Sequence, residues 1–132
     1  MTAGDVLLDT SAVLAWLRKE PGADVVDPVL PGSVMSAVNW AELATKLAQY
    51  GLPVERTLTR LQALGIRVVP FDAATAVTAG LLWEAGKAAG LSLGDRACLA
   101  TALTREGPVT VFTADSAWAD VDGVAASVKL IR

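Results

Sequence analysis

Short apolar runs alternate with longer stretches of helical period along the whole chain. Val6-Leu7-Leu8 reads as a buried strand, followed by a helix from Ser11 to Lys19 that Pro21-Gly22 breaks. Ala23 to Val29 forms a short second helix, Pro31-Gly32 a turn, and Val34 to Ser36 the second strand. Asn39 to Tyr50 is predicted helical and is stopped by Gly51. A new helix starts at Pro53, carries Val54, Leu58, Leu61 and Leu64 at helical spacing, and ends at Gly65. Arg67 to Pro70 is the third strand. Asp72 caps an Ala-rich helix expected to run to about Ala89, and Ser92 or Gly94 starts another that ends at Arg105. Val109 to Thr113 is the fourth strand and Val128 to Ile131 a fifth. Strands separated by helices imply a mostly parallel sheet covered on both faces, hence an α/β fold. With no repeat, linker or low-complexity segment, residues 1–132 read as one domain.

Four acidic residues fall at special places in that pattern. Asp9 closes the first strand, and Asp115 follows the fourth. Glu42 lies in the opening of the helix after the second strand, and Asp95 opens the helix that ends at Arg105. Parallel strands share one carboxyl edge, which is where open α/β sheets place their sites. Carboxylates gathered there repel one another unless a positive charge sits among them. A hard divalent cation, Mg2+ or Mn2+, is the natural candidate, and the chemistry it suits is that of phosphate esters.

Each acid also has a purely local explanation, since carboxylates cap helix starts and stabilise them by roughly 0.5–2 kcal/mol. Asn39-Trp40-Ala41-Glu42 fits a capping box with Asn39 as cap, and Ser92-Leu93-Gly94-Asp95 fits the same pattern with Asp in place of Glu. Asp9 or Thr10 caps the first helix in this view, and Asp115 the turn from Ser116 to Ala119. Capping leaves the strand-end placement of both Asp9 and Asp115 unexplained. Asp72, which also begins a helix after a strand, reads as a cap only.

Composition removes most competing chemistries. The chain has no histidine and one cysteine, Cys98, which excludes imidazole bases, Ser-His triads, an internal disulfide and multi-Cys zinc sites. Chemistry must therefore run on carboxylates, hydroxyls, Lys or Arg. Cys98, on the apolar side of its helix, reads as a small buried hydrophobe. The 53% hydrophobic content is high, yet no apolar stretch approaches the roughly 20 residues of a membrane span. No basic flank opens the chain as a secretory leader requires, so a cytoplasmic protein is expected. A net charge of −3 argues against binding nucleic acid by bulk positive charge, but not against nucleic acid as a substrate. Arg18, Lys19, Lys46 and Arg96 are candidates for a local basic rim. The four tryptophans are core residues by type, with one or two available to line a partner groove.

The motifs taken together resemble a known family. Val6-Leu-Leu-Asp9-Thr10-Ser11-Ala-Val is similar to the opening motif of PIN-domain ribonucleases, and Val38-Asn39-Trp40-Ala41-Glu42-Leu43 to their second. Leu93-Gly94-Asp95-Arg96-Ala97-Cys98-Leu99-Ala100 resembles the third, and Phe112-Thr113-Ala114-Asp115 the fourth. Order and spacing hold over essentially the whole length, and the small size looks most like the VapC-type toxins of toxin–antitoxin pairs. The resemblance implies a three-layer α/β/α fold in which Asp9, Glu42, Asp95 and Asp115 surround Mg2+ or Mn2+. It implies metal-assisted hydrolysis of RNA phosphodiesters, with Asp9, Asp95 and Asp115 as direct or water-mediated ligands. Glu42 is a ligand or positions the attacking water. Ser11 and Thr113 are candidates for orienting a carboxylate or a metal-bound water. Arg96 is a candidate for meeting a substrate phosphate, against the alternatives of facing solvent or pairing with an acid. A small VapB-like antitoxin and a homodimer are the implied partners.

Two other readings stay open. One is a non-catalytic PIN-like module that binds RNA or protein. The other is a Mg-binding receiver-like domain, although that fold wants an acidic pair and a late strand-end Lys, whereas Lys129 lies within the last strand. A haloacid-dehalogenase-type phosphatase fits less well, because its Asp-x-Asp would need an acid where Ser11 stands.

Overall fold

Neighbouring residues of a strand face opposite sides of the sheet, and here both sides are apolar. A computed structural model, describing residues 4–121, 124 and 126–132, contains five strands. These are β1 (Asp5–Leu8), β2 (Val34–Ser36), β3 (Arg67–Val69), β4 (Val109–Thr113) and β5 (Ser127–Leu130). Every pairing is parallel, and the order across the sheet is β3-β2-β1-β4-β5. Among the described residues seven α-helices connect them: α1 (Thr10–Leu17), α2 (Ala23–Val26), α3 (Ala37–Gln49), α4 (Val54–Ala63), α5 (Ala73–Leu81), α6 (Trp83–Gly86) and α7 (Leu93–Thr104).

The two faces of the strands sort these helices into layers. Leu8, Met35 and Phe112 pack with Ala12, Val13, Leu43 and Leu61 of α1, α3 and α4. Their neighbours Leu7, Val34 and Val111 meet Cys98, Leu99 and Ala102 of α7. Helices on both faces of a parallel sheet give the three-layer α/β/α fold. Leu7, Leu8, Val34, Met35 and Val111 are wholly buried, and each such side chain contributes about 1.5–3 kcal/mol relative to exposure. Among the described residues no helix is long and apolar enough to cross a membrane.

The strand order also fixes where the chain reverses its direction of winding. From β1 it proceeds outward through β2 to β3, then crosses back to place β4 on the other side of β1. The switch point lies between β1 and β4, paired in register from Asp5–Val109 to Leu8–Phe112. A crevice at the carboxyl ends of such strands is where α/β sheets hold ligands.

Four elements differ from the sequence expectation. The Ala-rich helix does not reach Ala89: it breaks at Leu82, whose ψ of −4° ends α5 before the single turn of α6. The outer part of that stretch has little core to pack on, since Val77, Leu81 and Trp83 are more than half exposed, and packing supplies most helix stability. The helix after β2 starts at Ala37, capped by Ser36, whose Oγ accepts from the Val38 amide at 3.2 Å. Asn39 is therefore inside α3 and caps nothing. Pro70 lies outside β3, and β5 begins one residue earlier than expected.

Candidate metal centre at the carboxyl edge of the sheet

Asp9 is the buried centre of the site. It follows β1, caps α1, and is only 4% exposed. Its Oδ1 accepts from the Ala12 amide at 2.8 Å and from Ser11 Oγ at 2.7 Å. Its Oδ2 accepts from the Thr113 hydroxyl. The same two hydroxyls accept in turn: Ser11 Oγ from the Ala114 amide at 2.9 Å, Thr113 Oγ1 from the Asp115 amide at 3.0 Å. The turns after β1 and β4 are thereby stapled together through Asp9. Burial pushes the Asp9 carboxyl up to about 6, against the lowering influence of the Thr113, Ser11 and Ala12 bonds, and Asp95 raises it further.

The other three acids arrive from separate segments. Asp95 forms a complete capping box with Ser92 at the start of α7: the Ser92 amide donates to its Oδ2 at 3.0 Å, and its own amide donates to Ser92 Oγ at 3.2 Å. Partial burial raises its pKa, opposed by the Ser92 bonds and assisted by the charges of Asp115 and Glu42. Asp115 is exposed and caps the 3-10 turn Ser116–Asp120 by accepting from the Ala117 amide at 3.0 Å. Glu42 sits in the second turn of α3, so it closes no capping box. Its Oε1 accepts from Thr10 Oγ1 at 2.9 Å and from Asn39 Nδ2 at 2.8 Å.

No basic side chain balances these acids. Among the described residues the ion pairs are Arg105–Asp5, Arg18–Glu20 and Arg132–Glu20. Arg96, next to Asp95, turns instead toward α5, where Nη1 donates to the Ala79 carbonyl at 3.0 Å. A cation near the last carbonyls of a helix is favourable, which explains that direction. The Cys98 thiol, wholly buried one turn beyond Asp95, is pushed well above its usual value by burial and by Asp9, Asp95 and Glu42. It is a neutral thiol rather than a nucleophile.

An all-oxygen donor set, two of its members raised chiefly by burial and further by acidic neighbours, and none paired with a base, fits a hard cation. In this arrangement, among the described residues, no three carboxyl groups converge closely enough to share one ion.

Three neighbours escaped the sequence reading. Thr10 and Asn39 hold Glu42, and Gly94 lies against it: a side-chain carbon at position 94 would stand 2.6 Å from the Glu42 carboxyl carbon. An Asn three residues before a Glu shares its helix face, and a glycine within a helix signals a close approach. Both signals were present. An apolar groove lies elsewhere: about 390 Å³ between α1, α3 and α4, lined by Leu14, Trp16, Leu47, Tyr50, Leu61 and the Arg18, Arg56 and Arg60 side chains.

Comparison with known proteins supplies the family. A model of the PIN domain matches residues 6–124. No curated protein sequence matches the chain. Among solved structures, a toxin–antitoxin complex from Klebsiella pneumoniae is similar at a TM-score of 0.73 and 19% identity, covering 97% of this chain and 98% of the other. DNA-bound VapBC from Salmonella typhimurium is similar at 0.70 and 17% identity, covering 98% and 100%. FitAcB from Neisseria gonorrhoeae is similar at 0.68 and 25% identity, covering 96% and 97%. Matched from the first strand to beyond the fourth acid, the chain belongs to the PIN domain family.

Proposed function

We propose that this chain is a metal-dependent endoribonuclease acting as the toxin of a VapBC-type toxin–antitoxin pair in the cytoplasm. One observation carries the reading: four carboxylates from four segments lie around the carboxyl edge of a parallel sheet, near enough for Asp95 to act on Asp9 and for Asp115 and Glu42 to act on Asp95, with no basic side chain paired to them among the described residues. Family membership and similarity to complexes named as toxin–antitoxin and VapBC support it.

Mg2+ or Mn2+ held by Asp9, Glu42, Asp95 and Asp115 would supply an activated water and offset charge gathering on the phosphodiester. The chain's own residues prepare that site. Ser11 and Thr113 keep Asp9 ionised near neutral pH by donating to both of its oxygens. Ser92 orients Asp95, and the Ala117 amide orients Asp115. Arg96, committed to the Ala79 carbonyl, takes no part in phosphate binding in this reading.

The uncompensated negative charge also suits a small VapB-like antitoxin that covers the edge with a basic side chain. A homodimer belongs to the same reading, supported by the exposed Val77, Leu81, Trp83 and Leu93 on α5, α6 and the start of α7. The open spacing of the carboxyl groups favours a second reading, a non-catalytic PIN-like module that binds RNA or protein.

Cleavage of total cellular RNA by the purified, antitoxin-free chain separates the two. Cuts that need Mg2+ or Mn2+, stop with EDTA and vanish in Asp9→Asn support the nuclease. RNA retained on a folded chain but left intact at every metal concentration supports the module.

A further inference from the structure

Glu42 is held more firmly than an exposed-edge glutamate needs to be. Asn39, 1% exposed, uses both hydrogens of its amide: one goes to Glu42 Oε1 at 2.8 Å and one to the Gly94 carbonyl at 3.1 Å. Thr10 shares its hydroxyl hydrogen between the same Glu42 oxygen at 2.9 Å and the Asn39 carbonyl at 3.2 Å. Flipping the Asn39 amide would set its oxygen against two acceptors, so its orientation is fixed. The consequence is that Asn39 Oδ1 is buried with no partner. An orphaned buried oxygen is unfavourable, and leucine of similar size would fill the space without it. Core packing therefore does not account for an amide at position 39.

Gly94 completes the arrangement from the other side. It is buried in the first turn of α7, and a side-chain carbon there would overlap the Glu42 carboxyl group. Oε1 is saturated by two donors, whereas Oε2 accepts no hydrogen bond among the described residues. We infer that Thr10, Asn39 and Gly94 are positioning residues that clamp the Glu42 carboxyl group, Oε1 by hydrogen bonds and Oε2 by close packing against Gly94. The clamp joins three motifs, since Thr10 follows Asp9 and Gly94 precedes Asp95. This rests on the metal-site reading above. Supporting groups of this kind typically change metal affinity 10–100-fold when removed.

The test is Mn2+ affinity of the full chain by calorimetry, with the metal-free melting temperature measured for each variant. Asn39→Leu, Gly94→Ala and Thr10→Val are each expected to weaken Mn2+ binding by roughly tenfold while remaining folded. Thr10→Ser, which keeps the hydroxyl, is expected to bind as the wild type does. In a Glu42→Gln background, adding Asn39→Leu or Gly94→Ala should cause little further loss, because all act through one carboxyl group. Wild-type affinity in the single variants, or full additivity with Glu42→Gln, would overturn the clamp and leave the metal site standing. No Mn2+ uptake by the wild type would overturn the metal site itself, and the clamp with it. If Asn39→Leu does not fold, Gly94→Ala decides, since it removes no hydrogen-bonding group.

Discussion

Asp9 shows how one residue serves two ends at once. It caps α1 and thereby stabilises the turn after β1, yet its burial raises its own pKa from 3.8 to about 6. Between those values the folded state keeps a proton that the unfolded chain has lost. The contribution of Asp9 to stability therefore falls as pH rises through that window. The metal-free protein is expected to melt a few degrees higher near pH 5 than near pH 7, and Asp9→Asn should flatten that difference. Thermal melts against pH check it; an unchanged slope in the variant would show that Asp9 is not the group responsible. Asp9→Asn should also bring cleavage to background. Asp72 provides the contrast. It caps α5 through the Thr75 amide at 2.9 Å and lies outside the carboxylate cluster, so Asp72→Asn should leave cleavage nearly unchanged. At this scale the strand-end acids and the Ser92–Asp95 capping box were legible in the sequence. The partners of Glu42 left a signal that stayed ambiguous, because a buried Asn in a helix and a helix-start cap have the same local spelling. Only the true start of α3, two residues earlier, separates them.

At the scale of elements, the site depends on how the turns after β1 and β4 are joined. Ser11 and Thr113 each donate to Asp9 and accept an amide from the β4 turn. Both bonds to Asp9 lower its pKa, so losing one moves it upward. Thr113→Val is expected to shift the acid limb of the cleavage profile to higher pH by roughly one unit, with maximal activity retained on the alkaline side. A profile that loses height without shifting would mean that Thr113 serves the fold rather than the charge state of Asp9. Apolar periodicity located nearly every element, because the strand faces and helix stripes are each committed to one layer. It failed at Leu82, where alanines propagate a helical pattern in sequence without offering the core anything to hold. It also left the Arg96 side chain undetermined: its direction toward the Ala79 carbonyl depends on α5 and α7 packing side by side, which no local pattern encodes.

The whole molecule concentrates unpaired negative charge at one edge of the sheet and apolar surface on α5 and α6. Mn2+ binding to the folded state alone would raise the melting temperature with metal concentration, reversibly with EDTA. In the homodimer reading, Leu81→Glu on the 78% exposed Leu81 should halve the mass seen by light scattering. Retention of the dimer would move the interface elsewhere. Four motifs in order were enough to anticipate the family, since each places an acid on a different segment that the sheet then gathers. Their mutual distances were not legible, for they depend on side-chain rotation that a fixed backbone leaves open.

Everything proposed for this chain depends on its four carboxylates forming a cation site. The most direct measurement is anomalous scattering from crystals of the wild-type chain grown with Mn2+. A manganese peak bounded by Asp9, Glu42, Asp95 and Asp115, and absent in Asp9→Asn, is expected. RNA cleavage in the same Mn2+ buffer with no peak at that edge would contradict it.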